Sequence, residues 1–293
     1  MCGISGVITT NSIAEYNLIS TLNLMKKRGP DFQNYTTGKF GNKNFALLHS
    51  RLAIIDLQST SNQPFLDKDY HLIFNGEIYN YIELREKLKK KNHHFKTKSD
   101  TEVIIKAFQE YGEDCVNYFN GMWAFVIWNK KKRTFFFSRD RFGEKPLYYF
   151  KDKNNFVFGS EIKFIKNILD KKIKINKKKI FNFLNFGYKS LHNDNETFYK
   201  NIFSVNSGEN LIVDQNFKIK KKKYWLPKFK INNDISYKDI VNETDKILTN
   251  SLNIRMRSDV PLAFCLSGGV DSGYLASLAR KKFSKKISTF SII

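Results

Sequence analysis

The first two-thirds of the chain repeats one pattern: short runs of β-branched and aromatic residues, separated by turns and interrupted by two helical stretches. Such runs are typical of strands. The predicted strands lie at residues 45–49, 52–57, 70–74, 122–128, 134–138, 147–150 and 156–159. Apolar residues at helical spacing predict one helix over 78–91 and another behind Ser99, where Glu102 completes a capping box. This arrangement predicts an α+β fold of stacked sheets and helices.

The pattern changes after Asp234. The predicted elements are a helix at 237–256, a buried strand at 261–266, a glycine-containing loop, a helix at 273–283 and a strand at 287–293. A strand, a crossing helix and a second strand open a parallel α/β sheet. One such unit cannot complete a doubly wound domain, so the second domain is expected to be incomplete. The predicted boundaries are 2–190 for the first domain, 191–235 for a connecting region and 236–293 for the second domain.

Composition argues against a disordered chain and against a membrane protein. Of the 293 residues, 41% are hydrophobic and 15% are aromatic, which is enough for a large core. No apolar run approaches the roughly 20 residues that a bilayer span needs, and the N-terminus lacks the basic segment of a secretory signal. The three cysteines lie far apart and predict neither a disulfide framework nor a zinc site. A reducing, cytoplasmic location is expected.

The formal net charge is +22, from 50 Lys and Arg against 28 Asp and Glu. Such a charge is typical of nucleic-acid-binding proteins, but a lysine-rich proteome also produces it. The basic runs are mostly lysine and scattered, and no recognisable nucleic-acid-binding module surrounds them. We favour the second interpretation and expect no specific nucleic-acid partner.

Cys2 is the most informative single residue. Removal of Met1 would leave a cysteine with a free α-amine, whose reference pKa of about 7.7–8.0 lies near ambient pH. That amine can accept the thiol proton, so an N-terminal cysteine can act as a nucleophile without a histidine. A cysteine at position 2 can also be accidental, and the residue alone does not decide.

The segment Leu-Ser-Gly-Gly-Val-Asp-Ser at 266–272 follows an apolar strand and opens a helix. Small residues allow backbone N–H groups to surround an anion, and the helix N-terminus adds positive potential. No lysine follows the glycines, so the segment is not a Walker-type loop. It predicts a phosphate site, with a plain strand-to-helix turn as the alternative.

Seven motifs run in order along the chain. They are Met-Cys-Gly-Ile-Ser-Gly at 1–6, Arg-Gly-Pro-Asp at 28–31, His-Ser-Arg-Leu-Ala-Ile-Ile-Asp at 49–56, Phe-Asn-Gly-Glu-Ile-Tyr-Asn at 74–80, Ser-Asp-Thr-Glu at 99–102, Arg-Asp-Arg-Phe-Gly-Glu-Lys-Pro-Leu-Tyr-Tyr at 139–149 and Gly-Ser-Glu-Ile-Lys at 159–163. As a set, the chain resembles the class II glutamine amidotransferases, whose mature chains begin with the catalytic cysteine, and among them the glutamine-hydrolysing asparagine synthetases. The resemblance implies an N-terminal nucleophile glutaminase domain, an αββα sandwich, followed by the start of a Rossmann-like ATP-pyrophosphatase domain.

The resemblance also implies how glutamine is held at Cys2. Arg51 would bind the α-carboxylate, which suits its forked donors, and Asp100 would bind the α-ammonium. The Asn75 side-chain amide and the Gly76 backbone N–H would form the oxyanion hole. Other residues lining the pocket would be Leu52, Ala53, Ile54, Ile55 and Glu77.

Each of these roles has a structural alternative. Arg51 could form a surface ion pair, and Asp100 could serve the helix N-terminus. Asn75-Gly76 could be a plain hairpin turn, because Asn-Gly is the commonest turn pair.

In the second domain the resemblance implies binding of ATP and Mg²⁺. The ATP-binding residues would be Leu266, Ser267, Gly268, Gly269, Asp271, Ser272 and Ile292, and no side chain is assigned as a metal ligand. The family reaction adenylates aspartate, and ammonia from glutamine then displaces AMP to give asparagine. The implied partners are glutamine, aspartate and ATP, with a homodimer as the candidate assembly and no membrane. The 293-residue chain by itself is expected to hydrolyse glutamine but not to make asparagine.

Two other functions stay open. Relatives within the family amidate other carboxylate acceptors, such as sugar acids in surface polysaccharide biosynthesis, or close β-lactam rings, and acceptor residues are not visible in this sequence. A basic binding module on an amidotransferase scaffold is the non-enzymatic alternative. The presence of Cys2, Arg51, Asn75, Gly76 and Asp100 argues against it.

Overall fold

The computed structural model describes residues 2–188, 194–229, 231, 234–283 and 287–292. The chain divides into two compact units. The first contains the chain up to Ala53 together with Gln58–Leu226, and the second contains Ile54–Leu57 and the chain from Pro227 onward.

The first unit is built from strands and helices that follow the predicted order. Its strands are β1 (Gly3–Thr9), β2 (Phe32–Phe40), β3 (Lys43–Arg51), β4 (Phe65–Asp67), β5 (Tyr70–Ile78), β6 (Gly121–Asn129), β7 (Thr134–Arg139), β8 (Tyr148–Lys151), β9 (Asn155–Gly159), β10 (Ile202–Ser204), β11 (Glu209–Asp214) and β12 (Ile219–Lys223). Its α-helices are α1 (Glu15–Met25), α2 (Tyr81–Lys89), α3 (Asp100–Tyr111), α4 (Ile162–Leu169) and α5 (Lys177–Phe186).

These strands form two six-stranded sheets, which we call sheet A and sheet B. The strand order is β10-β8-β9-β1-β3-β2 in sheet A and β12-β11-β7-β6-β5-β4 in sheet B. Neighbouring strands are antiparallel. In sheet A, Gly3 of β1 lies opposite Ser50 of β3. In sheet B, Gly76 of β5 lies opposite Trp123 of β6.

The inner faces of the two sheets enclose an aromatic core. The ring of Phe40 meets those of Trp128 and Phe135 edge-on, with centroids 4.9 and 5.3 Å apart. Each fully buried ring of this size contributes about 1.5–3 kcal/mol of transfer free energy. Many of the aromatic side chains that are abundant in the sequence therefore lie in this core.

Strand alternation fixes which polar residues also point between the sheets. Ile4 of β1, Leu47 of β3 and Ile73 of β5 belong to the inner core. Side chains at every second position share a face. The polar residues on these inner faces therefore include, at one end of the strands, Cys2, His49, Arg51, Asn75 and Glu77.

Helices cover the outer face of each sheet. On sheet A, Leu22 of α1 and Phe164 of α4 pack with Val7. On sheet B, Leu84 of α2 and Ile104 of α3 belong to one buried cluster with the outer residues of β5. The order of layers is helix, sheet, sheet, helix, which confirms the predicted αββα sandwich.

One local prediction and one of the structural alternatives are wrong. Residues 52–57 form no strand, because β3 ends at Arg51 and Asp56 has a φ of 55°, in the left-handed region. Asn75 and Gly76 form no turn, because both lie within β5 and pair with β6. In both places a tertiary contact overrides the local signal.

Strands β10 to β12 extend the sheets of the first unit, although the sequence places them in the connecting region beyond residue 190. β10 pairs with β8, and β11 pairs with β7. β12 is a lysine-rich strand at the edge of sheet B. Edge strands are often charged, which is why this segment resembles a linker in sequence.

The second unit contains α6 (Tyr237–Arg255), β13 (Ala263–Cys265), α7 (Val270–Phe283) and β14 (Ser288–Phe290). β13 and β14 are parallel and α7 connects them, as predicted for a strand–loop–helix–strand unit. Leu252 of α6 packs with Leu278 of α7. The segment Ile54–Leu57 is held by Asp259, whose N–H donates to Ile54 O at 2.9 Å.

Nowhere in the described part of the chain is a helix both long enough and apolar enough to cross a lipid bilayer.

Candidate active site

Cys2 lies immediately before β1, with its side chain on the inner face of sheet A. Its Sγ accepts a hydrogen bond from the Leu52 N–H at 3.3 Å and lies 3.5 Å from the Leu52 carbonyl oxygen. Burial raises the pKa of the Cys2 thiol, and the hydrogen bond with Leu52 opposes this effect. A thiol in these surroundings needs a base before it can attack a carbonyl carbon. The predicted removal of Met1 concerns a residue outside those described.

The backbone of Cys2 is held by Arg28. Arg28 Nε donates to the Cys2 carbonyl oxygen at 2.9 Å, and Nη1 pairs with Glu161 Oε1 at 3.0 Å. The next residue, Gly29, lies so close to the Ser50 backbone that a Cβ would collide with it. The Arg-Gly-Pro-Asp motif therefore fixes both the cysteine and the end of β3.

Arg51, the last residue of β3, is 6% exposed. Its Nη1 donates to Gln58 O at 3.0 Å and to Asn62 Oδ1 at 2.7 Å. Its burial rules out the surface ion pair that the sequence left open. A guanidinium held in this way is pre-organised for a carboxylate.

The four predicted pocket residues at 52–55 divide between the two units. Leu52 contacts the thiol, and the Ala53 N–H donates to Asp31 Oδ2 at 2.8 Å. Ile54 and Ile55 belong to the second unit. Their role at the glutamine pocket stays a prediction.

Asn75 is 1% exposed on the inner face of β5. Neither polar atom of its side chain has a hydrogen-bond partner within the described part of the protein. An unpartnered buried amide costs about 1–3 kcal/mol, so its retention needs an explanation such as a ligand.

Gly76 follows in the same strand and packs directly against β6. A Cβ at Gly76 would lie 2.8 Å from Trp123 Cα and closer still to Met122 O. Glycine is therefore required by this close approach and not by a turn.

His49 connects the two sheets beside Asn75. It is fully buried, and its Nε2 lies 3.0 Å from Phe74 O. Burial lowers the pKa of His49 to about 3, so the ring is neutral and Nε2–H is the donor. Phe74 O belongs to the peptide bond that leads into Asn75, so this hydrogen bond orients the Asn75 backbone. The sequence motif by itself assigns His49 no role, although alternation from Arg51 places the two side chains on the same face.

Two carboxyl groups lie near the thiol. Asp100 is 5% exposed, and its Oδ2 accepts from the Ile78 N–H of β5 at 2.9 Å, while Ser99 caps α3. Burial raises the pKa of Asp100 to about 6. Burial, and secondarily the Asp100 charge, raise the pKa of Glu77 to about 7. The charges of Asp100 and Arg51 also act on the Cys2 pKa, so these groups form one electrostatic cluster.

A buried lysine completes the cluster. Lys145, in the loop between β7 and β8, is 5% exposed, and its charge lowers the pKa of Glu77. The sequence motifs by themselves assign Lys145 no role. The motif at 139–149 contains four other charged residues, so this lysine does not stand out in the sequence.

The second unit contains the predicted phosphate loop. The hydroxyls of Ser267 and Ser272 lie 3.1 Å apart, and the Gly269 N–H approaches Ser267 Oγ at 3.4 Å. Gly268 has a φ of +80°, a backbone conformation that is strained for residues with a side chain. The space around Gly268 is open, so the conformation and not a collision favours glycine there. The loop is exposed and runs directly into α7, so its backbone is accessible to an anion.

The remaining predicted ATP-binding residues flank this loop. The Leu266 N–H donates to Phe290 O at 2.8 Å, which joins the ends of β13 and β14. Ile292 is fully exposed beyond β14, and Asp271 is exposed in the first turn of α7. In the described ranges no group of three or more His, Cys, Asp or Glu is placed to hold a metal ion. One carboxylate together with phosphate oxygens is a common setting for Mg²⁺, and Asp271 fits that setting.

Comparison with protein families gives two matches. A family model described as a glutamine amidotransferase domain matches residues 1–225. A model described as asparagine synthase matches residues 243–293. Both agree with the resemblance carried by the sequence motifs.

Two curated relatives match the chain along its whole length. A putative asparagine synthetase [glutamine-hydrolyzing] 2 of Methanocaldococcus jannaschii is 40% identical, and the match covers 59% of that protein. Asparagine synthetase [glutamine-hydrolyzing] 1 of Bacillus subtilis is 36% identical, with 46% of it covered. The chain thus spans about half the length of these relatives.

One solved structure with a similar fold is the glutamine phosphoribosylpyrophosphate amidotransferase of B. subtilis complexed with ADP and GMP. The TM-score is 0.56 at 16% identity, over 99% of this chain and 65% of the other. At this identity the comparison concerns the fold alone, and it confirms the predicted fold class.

Proposed function

The chain belongs to the glutamine amidotransferase family, and from this premise we propose that it hydrolyses glutamine to glutamate and ammonia at Cys2. The observation that carries the proposal is the buried, unpartnered amide of Asn75 on the inner face of β5. A buried amide without a partner in the described protein destabilises the fold, but it is available to bind a group that forms only during a reaction. In amide hydrolysis that group is the oxyanion.

Glutamine is bound through its backbone groups. The guanidinium of Arg51 pairs with the α-carboxylate, and the carboxylates of Asp100 and Glu77 accept hydrogen bonds from the α-ammonium. The substrate side chain then lies along the inner face between the sheets, with its amide carbon at Cys2 Sγ.

The chemistry proceeds through a thioester. After removal of Met1, the free amine of Cys2 takes the thiol proton, and Sγ attacks the amide carbon. The Asn75 amide and the Gly76 N–H stabilise the oxyanion, and the amine returns the proton to the departing nitrogen, which leaves as ammonia. Water then cleaves the thioester, which releases glutamate and restores the thiol. Each oxyanion donor is worth about 10²–10³ in rate.

Substitution of the nucleophile tests this proposal. Cys2→Ala should abolish ammonia release, and intact-mass measurement of the wild-type chain should give the mass without Met1. Cys265 is exposed and lies in the second unit, so Cys265→Ala is a matched control that should retain full activity. Wild-type ammonia release by Cys2→Ala would contradict the proposal.

We further propose that the second unit binds ATP as part of a glutamine-dependent asparagine synthetase. The serine hydroxyls and backbone N–H groups of residues 267–272 would hold the phosphates. Asp271 would face Mg²⁺, and Leu266 and Ile292 would contact the adenine base. Bound ATP supplies the adenylation of the acceptor carboxylate. The asparagine synthase family match over residues 243–293 supports this assignment.

The acceptor is the open part of this second proposal. Aspartate is favoured by the names of the relatives, and a sugar acid is the alternative. In a protein that also contains the region found in the longer relatives, AMP formation with aspartate or with a sugar carboxylate would separate the two. For the chain itself, Gly268→Val should weaken equilibrium binding of ATP, and unchanged binding would contradict the loop assignment.

A further inference from the structure

A four-residue segment interrupts the first unit shortly after Arg51. The chain leaves the first unit after Ala53 and returns to it at Gln58, and the residues between them, Ile54–Leu57, belong to the second unit. We call Ile54–Leu57 the inserted loop. Because the loop is short, its conformation determines the direction in which the chain continues at Gln58.

The chain that enters the inserted loop is fixed within the first unit. The Asp31 N–H donates to Arg51 O at 3.0 Å, and Asp31 Oδ2 accepts from the Ala53 N–H at 2.8 Å. These bonds hold Leu52, whose N–H lies 3.3 Å from the thiol of Cys2. The contact with the nucleophile is therefore secured before the loop begins.

The chain that leaves the inserted loop forms the turn that holds the Arg51 guanidinium. The Ser61 N–H donates to Gln58 O at 3.1 Å and closes this turn, which covers residues 58–62. Arg51 Nη1 donates to both ends of the turn, to Gln58 O at 3.0 Å and to Asn62 Oδ1 at 2.7 Å. A shift of the turn would therefore move the guanidinium.

Within the second unit, Asp259 holds the inserted loop by two hydrogen bonds. Its N–H donates to Ile54 O at 2.9 Å, and its Oδ2 accepts from the Asp56 N–H at 2.7 Å. Asp56 is buried and has a φ of 55°, in the left-handed region that residues with a side chain seldom adopt. Such a conformation persists only where surrounding contacts hold it. The Asp259 carboxylate supplies one of these contacts, directly on the strained residue.

We propose that Asp259 is a positioning residue of the glutamine site: its carboxylate holds Asp56 in the left-handed conformation that directs the 58–62 turn onto the Arg51 guanidinium. Asp259 acts through the chain and not by contact with the substrate. It lies 203 positions beyond Asp56, so no local pattern in the sequence predicts this contact. The inference rests on the proposed function, because it assumes that Arg51 binds the α-carboxylate of glutamine.

The expected effect is a change in binding and not in chemistry. Loss of a charge-assisted hydrogen bond at a partly exposed site shifts a conformational equilibrium by about five- to tenfold. Glutamine binds the molecules in which the loop is held, so its apparent affinity falls by up to that factor. Once glutamine is bound, the held conformation is selected and the chemical step is the same. The KM for glutamine should therefore rise while kcat is retained.

The experiment compares steady-state glutamine hydrolysis by three variants of the whole chain. Asp259→Ala should raise KM about fivefold and keep kcat within about twofold. Asp259→Asn retains an oxygen that can accept from the Asp56 N–H, and it should bring KM back to within about twofold of the wild type. Asp245→Ala is the matched control, because Asp245 is also in the second unit and loses a comparable bond, from the Tyr274 hydroxyl at 2.7 Å. It should change neither KM nor kcat.

Alkylation of the nucleophile checks the route through Arg51. Because Asp31 fixes Leu52 beside the thiol, iodoacetamide should modify Cys2 at rates that agree within about twofold in the wild type and in Asp259→Ala, as followed by peptide mass spectrometry. A larger difference would show that the substitution disturbs the nucleophile itself, and it would overturn this route.

A second measurement covers a failure to fold. The Asp259 side chain is exposed, so its replacement removes nothing from the core. If Asp259→Ala nevertheless does not fold, as judged by thermal melting, hydrogen exchange of the Cys2→Ala chain decides. Glutamine should slow exchange in the peptide that contains residues 54–57, because binding selects the held loop. Unchanged exchange there at saturating glutamine would overturn the inference.

Three results are distinguishable. No glutamine hydrolysis by the wild-type chain would refute the proposed function. Equal losses of kcat in Asp259→Ala and Asp245→Ala, or a rise in KM below about twofold in Asp259→Ala, would refute only the positioning role. A rise in KM that is confined to Asp259→Ala and reversed in Asp259→Asn would support it.

Discussion

Replacing Asn75 with alanine should separate activity from stability. Because neither polar atom of the Asn75 side chain has a partner in the described protein, the substitution breaks no hydrogen bond there. It removes an amide whose unpaired burial costs about 1–3 kcal/mol, and the small cavity left behind costs a similar amount. The free energy of unfolding should therefore change by less than about 1 kcal/mol in either direction.

The rate of glutamine hydrolysis should change far more. Loss of an oxyanion donor lowers kcat by about 10²–10³, equivalent to about 2.7–4 kcal/mol of barrier. The KM for glutamine should hardly change, because this interaction is made in the transition state and not in the ground state. The assays are steady-state release of glutamate and urea denaturation followed by tryptophan fluorescence.

Asn210 provides a matched control. It is 2% exposed on β11 of the same sheet, and both of its polar atoms also lack a partner within the described ranges. Asn210→Ala should change stability as little as Asn75→Ala and leave kcat unchanged. The reasoning is refuted if Asn75→Ala retains more than about a tenth of the wild-type kcat, or if Asn210→Ala loses as much activity.

Three further predictions concern the same end of the sandwich. The carboxyl groups of Glu77 (pKa about 7) and Asp100 (pKa about 6) must be ionised to bind an ammonium. The KM for glutamine should therefore rise about 20-fold from pH 8 to pH 6. A KM that does not change with pH would exclude their role. His49→Phe should lower kcat and cost about 1–3 kcal/mol of unfolding free energy by leaving the Phe74 carbonyl unpaired, and His49→Gln, which can still donate, should recover part of both. Gly76→Ala should cost about 3 kcal/mol or more by urea denaturation, because its Cβ meets the β6 backbone; an unchanged midpoint would contradict this packing.

The sequence predicted the layers well because their signal is local. Alternation and aromatic content specify strands such as β6 and β7 within a residue or two of their observed ends. The second unit's strand, loop and helix also follow local periodicity, although α7 begins at Val270, within the predicted loop.

The sequence failed where a distant contact decides the local conformation. Asn75-Gly76 is a strong turn signal, but antiparallel pairing with Ala124 and Trp123 keeps it extended. The apolar run at 52–57 has the composition of a strand. The Ala53 N–H, however, donates to the Asp31 side chain, and the strand pairing of β3 ends before it. These two departures from local propensity adjoin the candidate site, where function commonly overrides local rules.

The positions of His49 and Lys145 depend on contacts that a sequence does not contain. His49 bonds to a carbonyl on the opposite sheet, 25 positions along the chain. The Lys145 backbone is fixed by Asp140, which also accepts from the Trp123 N–H of β6. Both residues lie in motifs that identified the family, yet the motifs alone do not separate a role at the site from packing.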